Sequence, residues 1–123
     1  MVKVSSRPRA AIVAGILVLT LTAPTEASVW HVTKMTWYGP GFYGSHTACG
    51  QLMTRKLIGV ANRTLPCGTR IEIRYHGHDR IVKVVDRGPY GVWWTLDATA
   101  RLAIHLTGHP PHTMYGVKYG VLR

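Results

Sequence analysis

The sequence predicts a small, closed, all-β domain. Two features predict it: short runs rich in β-branched and aromatic residues, and the glycine and proline turns that separate them. We count five or six such strands, with one helix late in the chain. Because open sheet edges invite pairing with other chains, closure into a barrel or sandwich is the favoured arrangement. The 123 residues leave room for one such domain.

The N-terminal segment has the features of a secretory signal peptide. Basic residues precede an apolar run at 10–21, and small residues lead up to Ala27. A membrane span would need about 20 apolar residues, more than this run provides. We therefore predict a cleaved signal peptide at 1–27, a mature domain at 28–123, and a secreted or wall-associated protein. Since no cysteine lies near the predicted cut, we expect no lipid-modified N-terminus.

The first two predicted strands lie in the N-terminal half of the domain. The segment 29–38 is rich in aromatic and β-branched residues and forms one strand or two short ones. A glycine-rich aromatic loop follows at 39–44, and a short second strand is predicted at 57–61.

A hairpin is the clearest local prediction. Residues 70–75 alternate strictly, so that Ile71, Ile73 and Tyr75 face the interior. A four-residue loop at 76–79 then leads into an antiparallel strand at 80–86 whose apolar run is largely buried.

The C-terminal part supplies the helix and the last strand. A short helix is predicted at 101–106, with Thr99 as its N-cap and Gly108 just beyond its end. A final strand spans 115–122.

The charge of the chain indicates an anionic partner. Fifteen Lys and Arg residues against five acids give a net charge of +10, which favours accumulation on wall polymers, anionic lipids or nucleic acid. No nucleic-acid-binding motif is present, so we expect no such partner. The histidines form only loose pairs on Gly- and Pro-rich loops, whereas zinc needs three or four ligands. We expect a monomer without metal or cofactor.

The two cysteines, Cys49 and Cys67, are expected to form a disulfide in an exported chain. The closed loop would add roughly 3 kcal/mol of stability in the chain-entropy model. The alternative is a thiol nucleophile at Cys49 with His46 as its base.

Two acids flank an aromatic turn in the middle of the domain. Asp86 ends a β-branched strand, a Gly- and Pro-rich turn follows, and Asp97 comes after a pair of tryptophans. The pattern then becomes helical. A carboxyl group with a raised pKa can protonate a leaving oxygen, so such a pair of acids is a candidate catalytic site.

Five motifs, in this order and spacing, resemble the rare lipoprotein A family, whose relatives include the expansins and barwin-like proteins. The motifs are TWYGPGF at 36–42, TACG at 47–50, RTLPCGT at 63–69, VDRGPY at 85–90 and LD at 96–97. The resemblance implies a six-stranded double-psi β-barrel with one or two short helices and one disulfide. It also implies action on peptidoglycan or another anionic wall polysaccharide.

The resemblance implies three functions, in this order. The first is a lytic transglycosylase, which cleaves peptidoglycan without water and leaves 1,6-anhydro ends. The second is an expansin-like module that binds or loosens wall polysaccharide without catalysis. The third is a defence or interaction protein of the barwin type.

Site residues follow from the family positions and from side-chain chemistry. We expect Asp97 to act as general acid and base and Asp86 to orient or stabilise charge, although the two roles could be exchanged. The structural alternative is that Asp86 caps its own turn and Asp97 caps the helix. The candidate substrate-binding residues offer hydroxyl groups, a positive charge or flat aromatic faces; they are Thr36, Tyr38, Thr47, Arg87, Tyr90, Trp93 and Trp94. At least one of the adjacent tryptophans should be exposed.

Overall fold

Six strands close a barrel around one apolar core. The computed structural model describes residues 8–23, 26–27 and 29–123. The elements are β1 (His31–Tyr38), β2 (Val60–Ala61), β3 (Arg70–Tyr75), β4 (His78–Asp86), β5 (Leu96–Thr99), α1 (Ala100–Thr107) and β6 (Met114–Val121). The predicted closed all-β domain with a single late helix is therefore confirmed.

The barrel has the strand order β1-β5-β2-β4-β3-β6 and closes where β6 pairs with β1. The pairs β1–β5 and β2–β4 are parallel, whereas the other four are antiparallel. Parallel neighbours cannot be joined by a tight hairpin, so the chain must cross the barrel to form them. These crossings bring segments far apart in sequence to the same edge.

The core is filled from all sides of the barrel and from one face of α1. Strand β3 follows the predicted alternation: Ile71, Ile73 and Tyr75 are buried, and the residues between them are not. Fully buried side chains from other strands meet them in the same cluster; these include Met35, Val84, Leu96, Met114 and Val117. Leu102 and Leu106 of α1 cover this cluster.

Several predicted boundaries need correction. Strand β1 begins at His31, and β2 contains only two residues. The loop of the central hairpin has two residues and not the predicted four, because β4 begins at His78, which pairs with Tyr75. Both loop residues, His76 and Gly77, have positive φ, as two-residue hairpin turns require. Strand β4 is half-buried, since Ile81 is 51% exposed.

The helix was predicted closely, whereas β5, the strand before it, was not predicted. Helix α1 is one residue longer at each end than predicted, and Thr99 is its N-cap, as expected. The Thr99 hydroxyl accepts from the Leu102 amide. Asp97 lies within β5, two residues before the cap, so the alternative in which Asp97 caps the helix is wrong.

The predicted signal peptide falls partly on residues 1–7 and 24–25, which lie outside the described residues, as does Ser28. Residues 8–23 carry no assigned helix or strand. Within the described residues, no helix is both long and apolar enough to cross a membrane. Cleavage near Ala27 stays a prediction.

Candidate active site

The short strand β2 places the two acids on one row of the sheet. Ala61 pairs with Asp86 of β4 on one side and with Asp97 of β5 on the other. Two strand spacings put the Cα atoms of the acids roughly 10 Å apart. Residues in register across neighbouring strands point to the same face. Since the residue between them is only an alanine, both carboxylates border the same space.

That space is an open cavity of about 280 Å³. Three aromatic rings, the two acids and a glycine–proline turn surround it. Its lining residues are Tyr38, Phe42, Ala61, Asp86, Arg87, Gly88, Pro89, Tyr90 and Asp97. We call it the acid cavity.

Asp97 is the carboxyl group that is suited to carry a proton. The Thr36 hydroxyl donates to its Oδ1 at 3.0 Å, because the parallel pairing of β1 and β5 sets these two residues side by side. Burial raises the pKa of Asp97 to about 6, against the lowering effect of hydrogen bonds from Thr36 and the Ala98 amide. The nearby charge of Asp86 adds to the rise. A substantial fraction of this group is therefore protonated just below neutral pH.

Asp86 is held as an acceptor by three donors. The Tyr38 hydroxyl donates to Oδ2 at 2.9 Å. The backbone amides of Ala48 and Arg87 both donate to Oδ1, each at 2.9 Å. Asp86 thus caps its own turn through the Arg87 amide, but it also binds two groups distant in sequence. The capping role and a role in the acid cavity are compatible.

Tyr38 connects the aromatic wall to this acid. Burial, and next the charge of Asp86, hold the pKa of Tyr38 well above its usual range. The phenol therefore keeps its proton and remains a donor to Asp86. Its ring meets Phe42 edge to face, with centroids 6.0 Å apart.

The two tryptophans divide as expected: Trp93 is 71% exposed, whereas Trp94 is partly buried. The Trp94 indole donates to the Thr36 hydroxyl at 3.1 Å, so Thr36 accepts from Trp94 while it donates to Asp97. Lys34 lies 4.0 Å from the centre of the Trp94 ring. Neither tryptophan lines the acid cavity.

The remaining predicted residues serve local structure as well. The Arg87 guanidinium donates to the Leu65 carbonyl at 2.8 Å and to the Asn62 carbonyl at 3.3 Å, although Arg87 also lines the acid cavity. Thr47 is buried, and its hydroxyl bonds Gln51 within a turn. Tyr90 is 70% exposed at the cavity mouth.

The disulfide between Cys49 and Cys67 is present, which confirms the pairing and makes the thiol-nucleophile alternative wrong. It has a second consequence for the site. Cys49 follows Ala48, whose amide binds Asp86, so the cross-link anchors that donor next to the acid. In the described residues, no three His, Cys, Asp or Glu side chains converge as a metal site would require.

Sequence reasoning missed the residues that hold the loop between the acids. The Arg63 guanidinium donates to the carbonyls of Pro89, Val92 and Trp94. The Asn62 side chain donates to the Thr95 carbonyl at 3.0 Å. The acceptors are backbone carbonyls, which leave no signal in the sequence. The position of Asn62 and Arg63 just before a turn was the available sign of their role.

A closed six-stranded barrel with two parallel pairs, in which two acids face one cavity, has the architecture of a double-psi β-barrel. Residues 32–116 match the family model described as "Lytic transglycolase". The chain belongs to this family of RlpA-like double-psi β-barrel proteins, as the motifs indicated.

One relative is longer than this chain, which matches only part of it. The chain is 38% identical over 79 residues to a probable endolytic peptidoglycan transglycosylase RlpA from Synechocystis. The match covers 59% of this chain but only 25% of that protein. The chain therefore corresponds to about a quarter of the relative it matches.

Two solved structures share the fold. The Streptomyces papain inhibitor superposes with a TM-score of 0.64 at 22% identity, covering 80% of this chain and 99% of that one. A mutant of a Clavibacter michiganensis expansin, in complex with cellohexaose, gives a TM-score of 0.60 at 16% identity, covering 77% and 51%. At these identities the likeness concerns the fold alone.

Proposed function

We propose that this protein cleaves the glycan strands of peptidoglycan as a lytic transglycosylase outside the cell. The observation that carries the proposal is a partly buried carboxyl group, Asp97, with a pKa of about 6 in an open cavity. The name of the Synechocystis relative, a probable endolytic peptidoglycan transglycosylase, supplies the substrate. The signal-like N-terminus supports export.

The chemistry needs one group that first gives and then takes a proton. Asp97 protonates the glycosidic oxygen, the bond to C1 breaks, and the leaving sugar departs with that proton. The Asp97 carboxylate then takes the proton of the C6 hydroxyl, whose oxygen bonds to C1 and closes the 1,6-anhydro ring. Water is not consumed, and Asp97 ends protonated as it began.

Asp86 stabilises charge in this scheme. The sugar carries developing positive charge at C1 as the bond breaks. Asp86 is fixed by three donors and faces the same cavity, so its negative charge is preorganised. It also helps Asp97 to keep its proton before the reaction.

The test is Asp97→Asn on isolated sacculi, with the released products read by mass spectrometry. We expect the yield of anhydro ends to fall on the order of 100-fold or more, since the proton carrier is lost. Asp79→Asn is the matched control, because Asp79 is an acid of the same chain on the hairpin, away from the acid cavity. Unchanged release by a folded Asp97→Asn variant would refute the proposal.

The second candidate is a wall-binding module without catalysis. The observation that favours it is the exposure of Trp93 and Tyr90, whose rings offer flat faces to a sugar. The same experiment distinguishes the two functions. Retention on sacculi with no new anhydro ends, by the unaltered chain, identifies the binding module.

A further inference from the structure

A second cavity lies beside the acid cavity, and its charged lining residues are all basic. Its volume is about 270 Å³, close to that of the acid cavity. Two arginines, a histidine and two aromatic rings contribute to its walls; the lining residues are Trp37, Pro40, Tyr43, Arg55, Ala100, Arg101, Ile104, His109 and Pro111. We call it the arginine cavity.

The two cavities share a wall. Trp37 lines the arginine cavity and its neighbour Tyr38 lines the acid cavity, as successive side chains of a strand point to opposite faces. The loop after β1 repeats the pattern: Phe42 lines the acid cavity and Tyr43 the arginine cavity. The two cavities therefore lie on either side of the same stretch of chain.

Charge in the arginine cavity is entirely of one sign. Arg55 and Arg101 are both exposed, and none of the described Asp or Glu residues lines the cavity. The guanidinium of Arg55 lies 5.1 Å from the centre of the Tyr43 ring, within the range of a cation–π contact that orients it. Neither arginine forms an ion pair with a described acid. Both are free to bind an external anion.

The chemistry of the walls specifies the ligand. Guanidinium groups bind carboxylate and phosphate through paired hydrogen bonds. Ring faces such as those of Trp37 and Tyr43 suit the apolar face of a sugar. We propose that the arginine cavity binds an oxyanion carried on a sugar or polyol, either a carboxylate or a phosphate. The placement of this anion on a wall polymer rests on the proposed function, but the anion site itself does not.

The experiment is a titration of the isotope-labelled full chain, followed by NMR at the indole of Trp37 and the amides of Tyr43 and Ala100. The probes are N-acetylmuramic acid and glycerol 3-phosphate. Each has a neutral counterpart without the anion, N-acetylglucosamine and glycerol. We expect the acidic probes to shift these signals at concentrations where the neutral probes do not.

Variants assign the effect to the cavity. Arg55→Gln combined with Arg101→Gln should weaken binding on the order of tenfold or more, the loss expected for charge-assisted hydrogen bonds. Arg70→Gln combined with Arg123→Gln removes the same charge from exposed positions outside both cavities and should leave binding unchanged. Asp97→Asn should also bind normally, which separates this site from cleavage.

The outcomes are distinct. A response to N-acetylmuramic acid alone identifies a carboxylate site, a response to glycerol 3-phosphate alone identifies a phosphate site, and a response to both identifies a general oxyanion site. Equal shifts by the neutral probes overturn the proposal. So does an equal loss in the Arg70 and Arg123 control, or the absence of any shift.

Discussion

Burial is the main reason that Asp97 holds its proton close to neutral pH. The two hydrogen bonds that it accepts act in the opposite direction, and the charge of Asp86 acts with burial. The Asp97 carboxyl group can therefore exist in both its protonated and its ionised form near neutral pH, which a proton carrier needs. Thr36 takes part in that balance because its hydroxyl also accepts from Trp94, which fixes the direction of its own proton toward Asp97.

This balance predicts the pH dependence of cleavage. The scheme starts from protonated Asp97, whose pKa is raised from 3.8 to about 6. The protonated fraction, and with it the rate, should fall as the pH rises through about 6. Rates of anhydro-end release, measured from roughly two pH units below that midpoint to two above it, trace this falling limb.

The Thr36→Val variant tests whether titration of Asp97 causes this fall in rate with rising pH. It removes a donor that lowers the pKa of Asp97, so the midpoint should move to higher pH. Thr95→Val is the control, since the Thr95 hydroxyl contacts Tyr119 and not Asp97. A midpoint that moves to lower pH in Thr36→Val, or equally in both variants, contradicts the assignment.

At the scale of the elements, a tight junction lies before β2. A Cβ on Gly59 would lie 2.6 and 2.7 Å from the methyl groups of Val85 and 3.0 Å from the Lys83 carbonyl. Gly59 also exchanges hydrogen bonds with Thr99, since its amide donates to the Thr99 hydroxyl and its carbonyl accepts the Thr99 amide. The glycine therefore lets β2 fit between β4 and β5, which sets the spacing of the two acids.

Gly59→Ala should destabilise the barrel by about 1–3 kcal/mol, the usual cost of overpacking. Denaturant unfolding measures the change. Val85→Ala in the same chain removes the methyl groups that clash, so the double variant should lose less stability than the sum of the two single variants. Simple additivity would show that the Gly59–Val85 contact does not limit the fit.

Elements defined by local pattern were predictable, and elements defined by distant pairing were not. Strand β3 and helix α1 carry their own periodicity and cap, and both were predicted to within a residue or two. Strand β5 has four residues and leads directly into the helix; it exists because it pairs in parallel with β1, far earlier in the chain. Strand β2 has only two residues, and it too exists because it pairs with β4 and β5.

The candidate site was likewise predictable only in part. The family motifs pointed to Tyr38, Asp86 and Asp97, and the structure brings these three together. The alanine between the acids and the backbone donors around Asp86 are products of register, which no side-chain pattern records. The arginine cavity was also not anticipated, because its residues come from several separate segments.

At the scale of the whole molecule, the disulfide joins two loops that flank the acid cavity. The Cys49 side of the bond carries the Ala48 amide that binds Asp86, and the Cys67 side lies in the turn held by Arg87. The 18-residue separation of the cysteines closes a loop worth roughly 3 kcal/mol in the chain-entropy model. One bond thus affects both global stability and the geometry of the site.

Replacing both cysteines by alanine should lower the free energy of unfolding by about 3 kcal/mol, measured in urea. Cleavage by the variant that remains folded should also slow, because the Ala48 donor is no longer anchored beside Asp86. Reduction of the unaltered chain should reproduce both effects, while the reductant should leave the double variant unchanged. If the double variant loses stability but cleaves at the full rate, the cross-link supports the barrel without positioning Asp86.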